Sequence, residues 1–321
     1  MKNVYVVIPC YRVGHKIIGV VAEVLDQSLV RQVVVVDDAC PDQTHQLVRE
    51  QYAGNLRVKV LRNPENKGVG GAVLAGYQYA FANGADIAIK IDGDGQMEVD
   101  RIPAIIKPIV DGKCDYTKGN RFYYPKHLSN MPVIRFIGNS GLSLINKLAS
   151  GYWSIMDPTN GYTALHKSTY FRLEHNDIAH DYFFESDMLY QLGIVQAVVR
   201  DIPMPAIYED EISSLSISSV LIKFPGRYFK RMLKRLVLRY FIRDFNFASL
   251  EIFSGSILFF CGLFLGLYKW ISNLVADVET PTGTVMIVGI FMLIGFQLLL
   301  SALNYDVSNE PSVPLSYLEL D

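Results

Sequence analysis

Residues 86–96 read DIAIKIDGDGQ. The run IAIKI has the length and composition of a buried strand, and the polar DGDGQ ends it. Working outward, VYVVIP (4–9), QVVVVD (32–37) and RVKVLR (57–62) read in the same way. Segments of helical length separate them, at residues 14–27, 42–51 and 68–81. A further strand is expected over 114–117. Strands that alternate with helices imply a mostly parallel sheet with helices on both faces. Strand runs that are apolar throughout need cover on both sides, which points the same way. The expected class is therefore α/β over residues 1–210.

In such a sheet ligands bind outside the carboxyl ends of the strands. Asp92, Asp94 and Gln96 fall at one such end. Two carboxylates one residue apart, loosened by glycines, can hold a hard divalent cation, and Mg²⁺ leaves positions open for substrate phosphates. A plain DG surface turn is the competing reading. Asp37 and Asp38 end the QVVVV run, where burial is costly unless they bind something or cap the next helix. Asp37 is a candidate for a ribose or base, while capping competes for Asp38 or Asp42. In NPENKGVGGAVLAG (63–76), a helix start at Lys67 and Gly68 suits a phosphate. The stretch is not the GxGxxG dinucleotide fingerprint, which belongs after the first strand, where Cys10-Tyr11-Arg12 stand. A nucleotide-dependent oxidoreductase is disfavoured on that ground. Later come Lys118-Gly119-Asn120-Arg121 and Asp157-Pro158-Thr159-Asn160-Gly161. Glu185 and Asp187 lie in the apolar setting YFFESDMLY. Burial there demands a partner, and Arg121 or Arg172 is expected for Glu185.

The 321 residues carry 30 Lys and Arg against 32 Asp and Glu, a net charge of −2, so the chain lacks the basic field of a general nucleic-acid binder. Half the residues are hydrophobic, which excludes a disordered chain. Cys10, Cys40, Cys114 and Cys261 form no CxxC pair, and the histidines show no ligand spacing, which excludes a zinc ribbon or a disulfide scaffold. Residues 252–268 and 280–305 hold no charge at all. About 20 apolar residues cross a bilayer, so residues 248–305 are expected to form two spans.

Before them, residues 211–247 form a juxtamembrane segment holding Lys223, Arg227, Lys230, Arg231, Lys234, Arg235, Arg239 and Arg243. At helical spacing Phe229, Met232, Leu233, Leu236 and Tyr240 share one face, with Arg227, Lys230, Arg231, Lys234 and Arg235 opposite. This predicts a basic amphipathic helix on an anionic membrane surface. By the positive-inside rule residues 1–210 and the tail 306–321 are cytoplasmic. The linker 273–283, with Asp277 and Glu279 but no Lys or Arg, faces outward.

The motifs VVIPCY, VVVVDDACPDQT, NKGVGGAVLAGY, KIDGDGQ, KGNRF, DPTNGY and YFFESD occur in the order found in family 2 glycosyltransferases. With two terminal spans after a basic segment, the chain resembles the branch of that family that acts on polyprenyl phosphates. The resemblance implies a GT-A, Rossmann-like catalytic domain, a nucleotide-sugar donor, and Mg²⁺ or Mn²⁺. It implies that Pro9, Tyr11, Asp37 and Asp92 line the nucleotide, with Asp38, Lys67, Gly68 and Gln96 as further donor-binding candidates. Asp94 then holds metal and diphosphate with Asp92, and Asp157 and Arg121 act at the transferred sugar. Arg227, Lys230, Arg231, Lys234 and Arg235 would gather the acceptor phosphate at the membrane surface. Departures from the family pattern are Arg12-Val13 after the first tyrosine, Met97 after DGQ, and Tyr162-Thr163 after Asn160-Gly161.

The activity expected is inverting transfer of a hexose, glucose from UDP-glucose, to undecaprenyl phosphate at the cytoplasmic face of a cell inner membrane. GDP-mannose or a UDP-N-acetylhexosamine as donor, or a glycolipid hydroxyl as acceptor, are the alternatives. The chain has no QxxRW and too few spans for a processive synthase. Membrane lipids are the expected partners, nucleic acid is not, and a homo-oligomer stays open.

Overall fold

A computed structural model describes residues 2–124, 133–205 and 217–319. The chain divides into two compact units, Met1–Met232 with Pro311–Asp321, and Leu233–Glu310.

The larger unit is built on a sheet of seven strands. They are β1 (Val4–Cys10), β2 (Val30–Asp37), β3 (Val58–Arg62), β4 (Ile87–Lys90), β5 (Tyr116–Asn120), β6 (Thr163–His166) and β7 (Val199–Pro203), in the order β3-β2-β1-β4-β6-β5-β7. Helices α1 (Lys16–Asp26), α2 (Thr44–Gln51), α3 (Gly68–Ala82) and α4 (Ile102–Val110) connect the first strands. Successive side chains on a strand point to opposite faces. Val6, Ile8, Val33 and Val35 accordingly pack with α1 in one core, and Val7, Val34 and Val36 pack with α3 in the other. Each such residue contributes roughly 1.5–3 kcal/mol on burial, which is why the first two β-branched runs become central strands, while β3, only partly buried, lies at the sheet's edge. Gly76 lets α3 lie directly on β1, since a Cβ there would collide with Val7.

Two features were not expected. β6 is antiparallel to both β4 and β5, and β7 adds a parallel strand beyond β5. The strand expected at 114–117 begins two residues later and ends three later, at Tyr116–Asn120. These pairings put the site together. Cys10 pairs with Asp37, so β1 and β2 end level. Val7 pairs with Lys90 on β4, and Lys90 with Thr163, where β6 begins. Lys118 on β5 also faces Thr163. The turn after β4, the loop leading into β6 and the end of β5 therefore meet at one edge.

The tail returns to this unit. The 3₁₀ turn Leu315–Glu319 buries Leu315 in the second core. The fully buried Asp115 accepts from the backbone N–H groups of Val198 (2.8 Å), Leu315 (2.9 Å) and Ser316 (3.3 Å).

The helix Ile217–Val237 carries the basic segment and continues into a π-helical turn, Leu238–Arg243. Here the expected orientation is corrected. Phe229 and Leu233 are exposed, whereas Arg231 is bound to Asp177 (2.9 Å) and to the buried Asp187 (2.7 Å). Arg227 pairs with Asp181 at 2.7 Å. Arg235, in the smaller unit, is buried against Asp306 through two hydrogen bonds of 2.8 and 3.0 Å. Acids from distant segments, invisible to a helical wheel, claim these arginines. Lys230 and Lys234 remain on the exposed side.

In the smaller unit, the helices Phe247–Val275 and Thr282–Ser308 are long and apolar enough to cross a membrane. Only 17% and 11% of their most apolar windows are buried in the protein, so they are not core helices. At about 1.5 Å per residue each exceeds the ~30 Å hydrocarbon thickness. Small residues let them touch: a Cβ on Gly295 would stand 2.5 Å from the Phe259 nitrogen, and one on Gly255 would stand 3.1 Å from the Gly295 oxygen. Inside the pair, Ser301 donates to Glu251 at 2.6 Å.

Candidate active site

The turn after β4 carries Asp92-Gly93-Asp94-Gly95-Gln96, with Gly95 at φ +81°. Gln96 N–H donates to Asp94 Oδ1 at 3.0 Å, which sets the tight bend. Asp92, Asp94, Gln96 and Arg121 all line one cavity at this edge. Glu98, Arg101, Thr159, Asn160, Gly161 and Tyr162 complete much of the wall. Of these, Thr159, Asn160, Gly161 and Tyr162 belong to the motif DPTNGY that stood out in the sequence, whereas Glu98 and Arg101 give no signal there.

Asp157 is fully buried behind Arg121 instead of lining the cavity. Its Oδ2 accepts from Arg121 Nε (2.8 Å) and from the Arg121 backbone N–H (3.2 Å), and its Oδ1 accepts from Nη2 (3.0 Å). Burial alone would raise the Asp157 pKa, but the Arg121 guanidinium, with Lys118 behind it, outweighs this and holds it below the usual carboxylate range. Asp157 is thus an anionic socket, and Arg121, about a third exposed, is what a ligand meets.

Beneath the floor lies a second layer of charge. Lys118 is fully buried and donates to the Asn160 carbonyl. Burial lowers its pKa to about 8, against the opposing pull of Glu185 and Asp157. Asp201 accepts from Asn120 Nδ2 (2.8 Å) and from Met156 N–H (3.0 Å). Burial raises its pKa to about 6. Lys90 contacts Asp92 and Glu185. The partner expected for Glu185 was Arg121 or Arg172, and the structure supplies Lys90 instead. A lysine inside the apolar run IAIKI was the available signal.

The other candidates have different tasks. Asp37 is fully buried, with Oδ1 accepting from Cys40 N–H (2.8 Å) and Oδ2 from His45 N–H (3.0 Å), so it organises the loop into α2. Asp38 accepts from Asn63 Nδ2 (2.7 Å), Lys67 N–H (3.0 Å) and Gly68 N–H (2.8 Å). The start of α3 is therefore already filled by a carboxylate and is not a phosphate cradle. The glycines there serve packing: a Cβ on Gly68 would stand 2.6 Å from the His180 carbonyl oxygen. Pro9, next to last in β1, pairs with Val36, and Tyr11 follows the strand, 42% exposed with Arg12 over its ring. Both stand at the same sheet edge but outside the cavity wall.

A profile of the family described as Glycosyl transferase family 2 matches residues 5–180. The chain is 32% identical over 245 residues to the UDP-N-acetylglucosamine--dolichyl-phosphate N-acetylglucosaminyltransferase of Methanococcus voltae, covering 73% of this chain and 96% of that one. It is 24% identical over 221 residues to the undecaprenyl-phosphate mannosyltransferase of Micrococcus luteus, covering 68% and 89%. Among solved structures, mannosyl-3-phosphoglycerate synthase from Rubrobacter xylanophilus is alike with a TM-score of 0.52 at 16% identity, covering 76% of this chain and 77% of that one. That last likeness is one of fold.

Proposed function

This chain belongs to glycosyl transferase family 2, and on that premise we propose that it transfers a sugar, with inversion, from a nucleotide donor to the phosphate of a polyprenyl lipid. The observation that carries this reading is a single cavity in which the carboxylates of Asp92 and Asp94 stand with the guanidinium of Arg121. Acids suit a cation-bound diphosphate, and a forked guanidinium suits a phosphate monoester. The names of the relatives from Methanococcus voltae and Micrococcus luteus support a lipid-phosphate acceptor.

The donor set fits a divalent cation. Asp92 and Asp94 offer oxygen alone, and among the described residues no group of three or more His, Cys, Asp or Glu could hold an ion by itself. Mg²⁺ or Mn²⁺ bound by one or two carboxylates, with phosphates completing the shell, has this form. Once bound, the cation would neutralise charge on the leaving diphosphate.

The protein's own residues do the rest. Asp157 fixes the Arg121 fork, and Arg121 orients the acceptor phosphate toward the sugar. A phosphate monoester with a second pKa of about 6 is largely dianionic at neutral pH, so it attacks without a general base. Asp157, paired and buried, has no proton to take. The exposed Lys230 and Lys234 lie on the helix that leads to the apolar pair, where they draw an anionic lipid surface. The catalytic unit and the tail are cytoplasmic in this reading, as the basic segment directs.

For the donor, UDP-glucose, read from the sequence, stands beside UDP-N-acetylglucosamine, which the name of the Methanococcus voltae relative supports. The test supplies the purified full-length protein with radiolabelled UDP-N-acetylglucosamine, UDP-glucose and GDP-mannose, undecaprenyl or dolichyl phosphate, and Mn²⁺ or EDTA. Metal-dependent label in the lipid from one donor is expected. No label in either lipid from any of the three overturns the reading.

A further inference from the structure

Lys90 is the charged residue of β4, and its side chain is 1% exposed. Its ammonium nitrogen lies 2.6 Å from Asp92 Oδ1, 3.1 Å from Glu185 Oε1 and 3.3 Å from the Gly161 carbonyl oxygen. An ammonium group has three N–H donors. All three are directed at protein acceptors, so Lys90 has none left for a ligand. The acceptors come from separate segments: the turn after β4, the loop before β6, and the first turn of the helix Phe184–Val195. Two of the three, Asp92 and Gly161, line the cavity. Residue 161 must be glycine for this closure, because a Cβ there would stand 2.5 Å from Asp92 Oδ2 and closer still to the Lys90 nitrogen.

Stability gives a poor account of such an arrangement. Desolvating a lysine and a glutamate offsets most of their attraction, and well-packed apolar residues often serve as well or better. A hydrophobic residue in the run IAIKI would continue the strand without a buried charge. What the lysine adds is a fixed direction: it takes Oδ1 of Asp92, whose side chain, about a third exposed, lines the cavity. Glu185, the second carboxylate on the ammonium, keeps the lysine from following Asp92 when that carboxylate meets a ligand.

We infer that Lys90 and Glu185 are positioning residues for the donor, holding the Asp92 carboxylate and the Gly161 carbonyl in the one arrangement that the nucleotide-sugar meets. The inference rests on the reading of the cavity as the donor site. Preorganised groups bind without a cost of ordering, so their release appears in donor affinity.

The test measures the melting temperature, kcat and both KM values of the full-length protein, with the donor that labels the lipid in the assay above. The variants are Lys90→Met, Glu185→Gln, the double Lys90→Met/Glu185→Leu, and Asp92→Asn. Lys90→Met strands Glu185 and lets Asp92 turn. It is expected to lower the melting temperature and to raise the donor KM about tenfold, the scale of one lost charge-assisted hydrogen bond, with the acceptor KM unchanged. Glu185→Gln is expected to raise the donor KM less. The double variant leaves no stranded charge, so it recovers the melting temperature but not the donor KM. A merely structural pair would recover both. A double variant with wild-type donor KM, alongside a raised KM in Asp92→Asn, overturns the inference alone. An unchanged donor KM in Asp92→Asn overturns it together with the reading of the cavity.

Discussion

Asp157 holds Arg121 at the cavity through two side-chain hydrogen bonds and a third from the backbone. The two residues act as a unit, and residues that act as a unit show non-additive losses. Arg121→Met and Asp157→Asn are each expected to raise the acceptor KM roughly tenfold or more, the range of a charge-assisted bidentate contact. The double variant should be little worse than either single one. Losses that multiply would give Asp157 a separate role in the reaction. Asp201 supplies a second test at this scale. Burial raises its pKa from the ordinary 3.8 to about 6, so between those values the folded state binds the proton more tightly than the unfolded state. Its contribution to stability is then favourable below pH 6 and is lost as pH rises through that value. In melting scans from pH 4.5 to 8, Asp201→Asn is expected to flatten this fall, whatever its offset at neutral pH. An unchanged profile would mean that Asp201 is already ionised at the bottom of the range. The sequence singled out Asp92 and Asp94 because two carboxylates one residue apart at a strand end can hold a cation, and Arg121 through the family resemblance. It singled out Asp37 and Asp38 because acids ending a buried strand are costly without a partner. Only the fold shows that backbone N–H groups take up those two carboxylates.

At the scale of elements, β1, β2 and β4 were legible because buried strands leave continuous apolar runs, and β3, at the edge and only partly buried, was legible from its alternating valines. β6 was not, since Thr163–His166 is four residues long and mixed in polarity. It is the antiparallel strand that delivers Asn160 and Gly161 to the cavity, so the site's wall was less legible than its carboxylates. The basic helix failed in another way. Periodicity identifies two faces and cannot say which one the protein covers when acids elsewhere in the chain pair with the arginines. The consequence is measurable. Arg231→Gln leaves the fully buried Asp187 without its main partner, and breaking one side of a buried pair costs about 3–5 kcal/mol. A clear fall in melting temperature is expected, with little change in the acceptor KM of the protein that remains folded. Lys230→Gln with Lys234→Gln should do the opposite, raising the acceptor KM in anionic vesicles and losing that effect at high salt. Equal behaviour of the two sets would return the arginines to the membrane surface.

At the scale of the whole chain, the tail constrains the topology. Leu315 is buried in the core of the larger unit, and the backbone of Leu315 and Ser316 is held by Asp115. The chain leaves that unit before the two apolar helices and rejoins it after them. If both helices cross a bilayer, an even number of crossings brings the tail back to the side it left, as this attachment requires. A single crossing would tear Leu315 from its site and leave a buried carboxylate facing lost donors. In the proposed orientation that side is cytoplasmic, which the basic residues before the first helix favour, as does the linker between the helices, with Asp277 and Glu279 but no lysine or arginine. Single cysteines on a background in which the exposed Cys261 is replaced by serine make this testable. In intact cells, a membrane-impermeant maleimide is expected to label Asp277→Cys and to spare Asn55→Cys and Ser312→Cys until the membrane is opened. All three positions are exposed, so protection reports the side of the membrane rather than burial. Labelling of Ser312→Cys from outside, with Asn55→Cys protected, would separate the tail from the catalytic unit and remove the two-span topology.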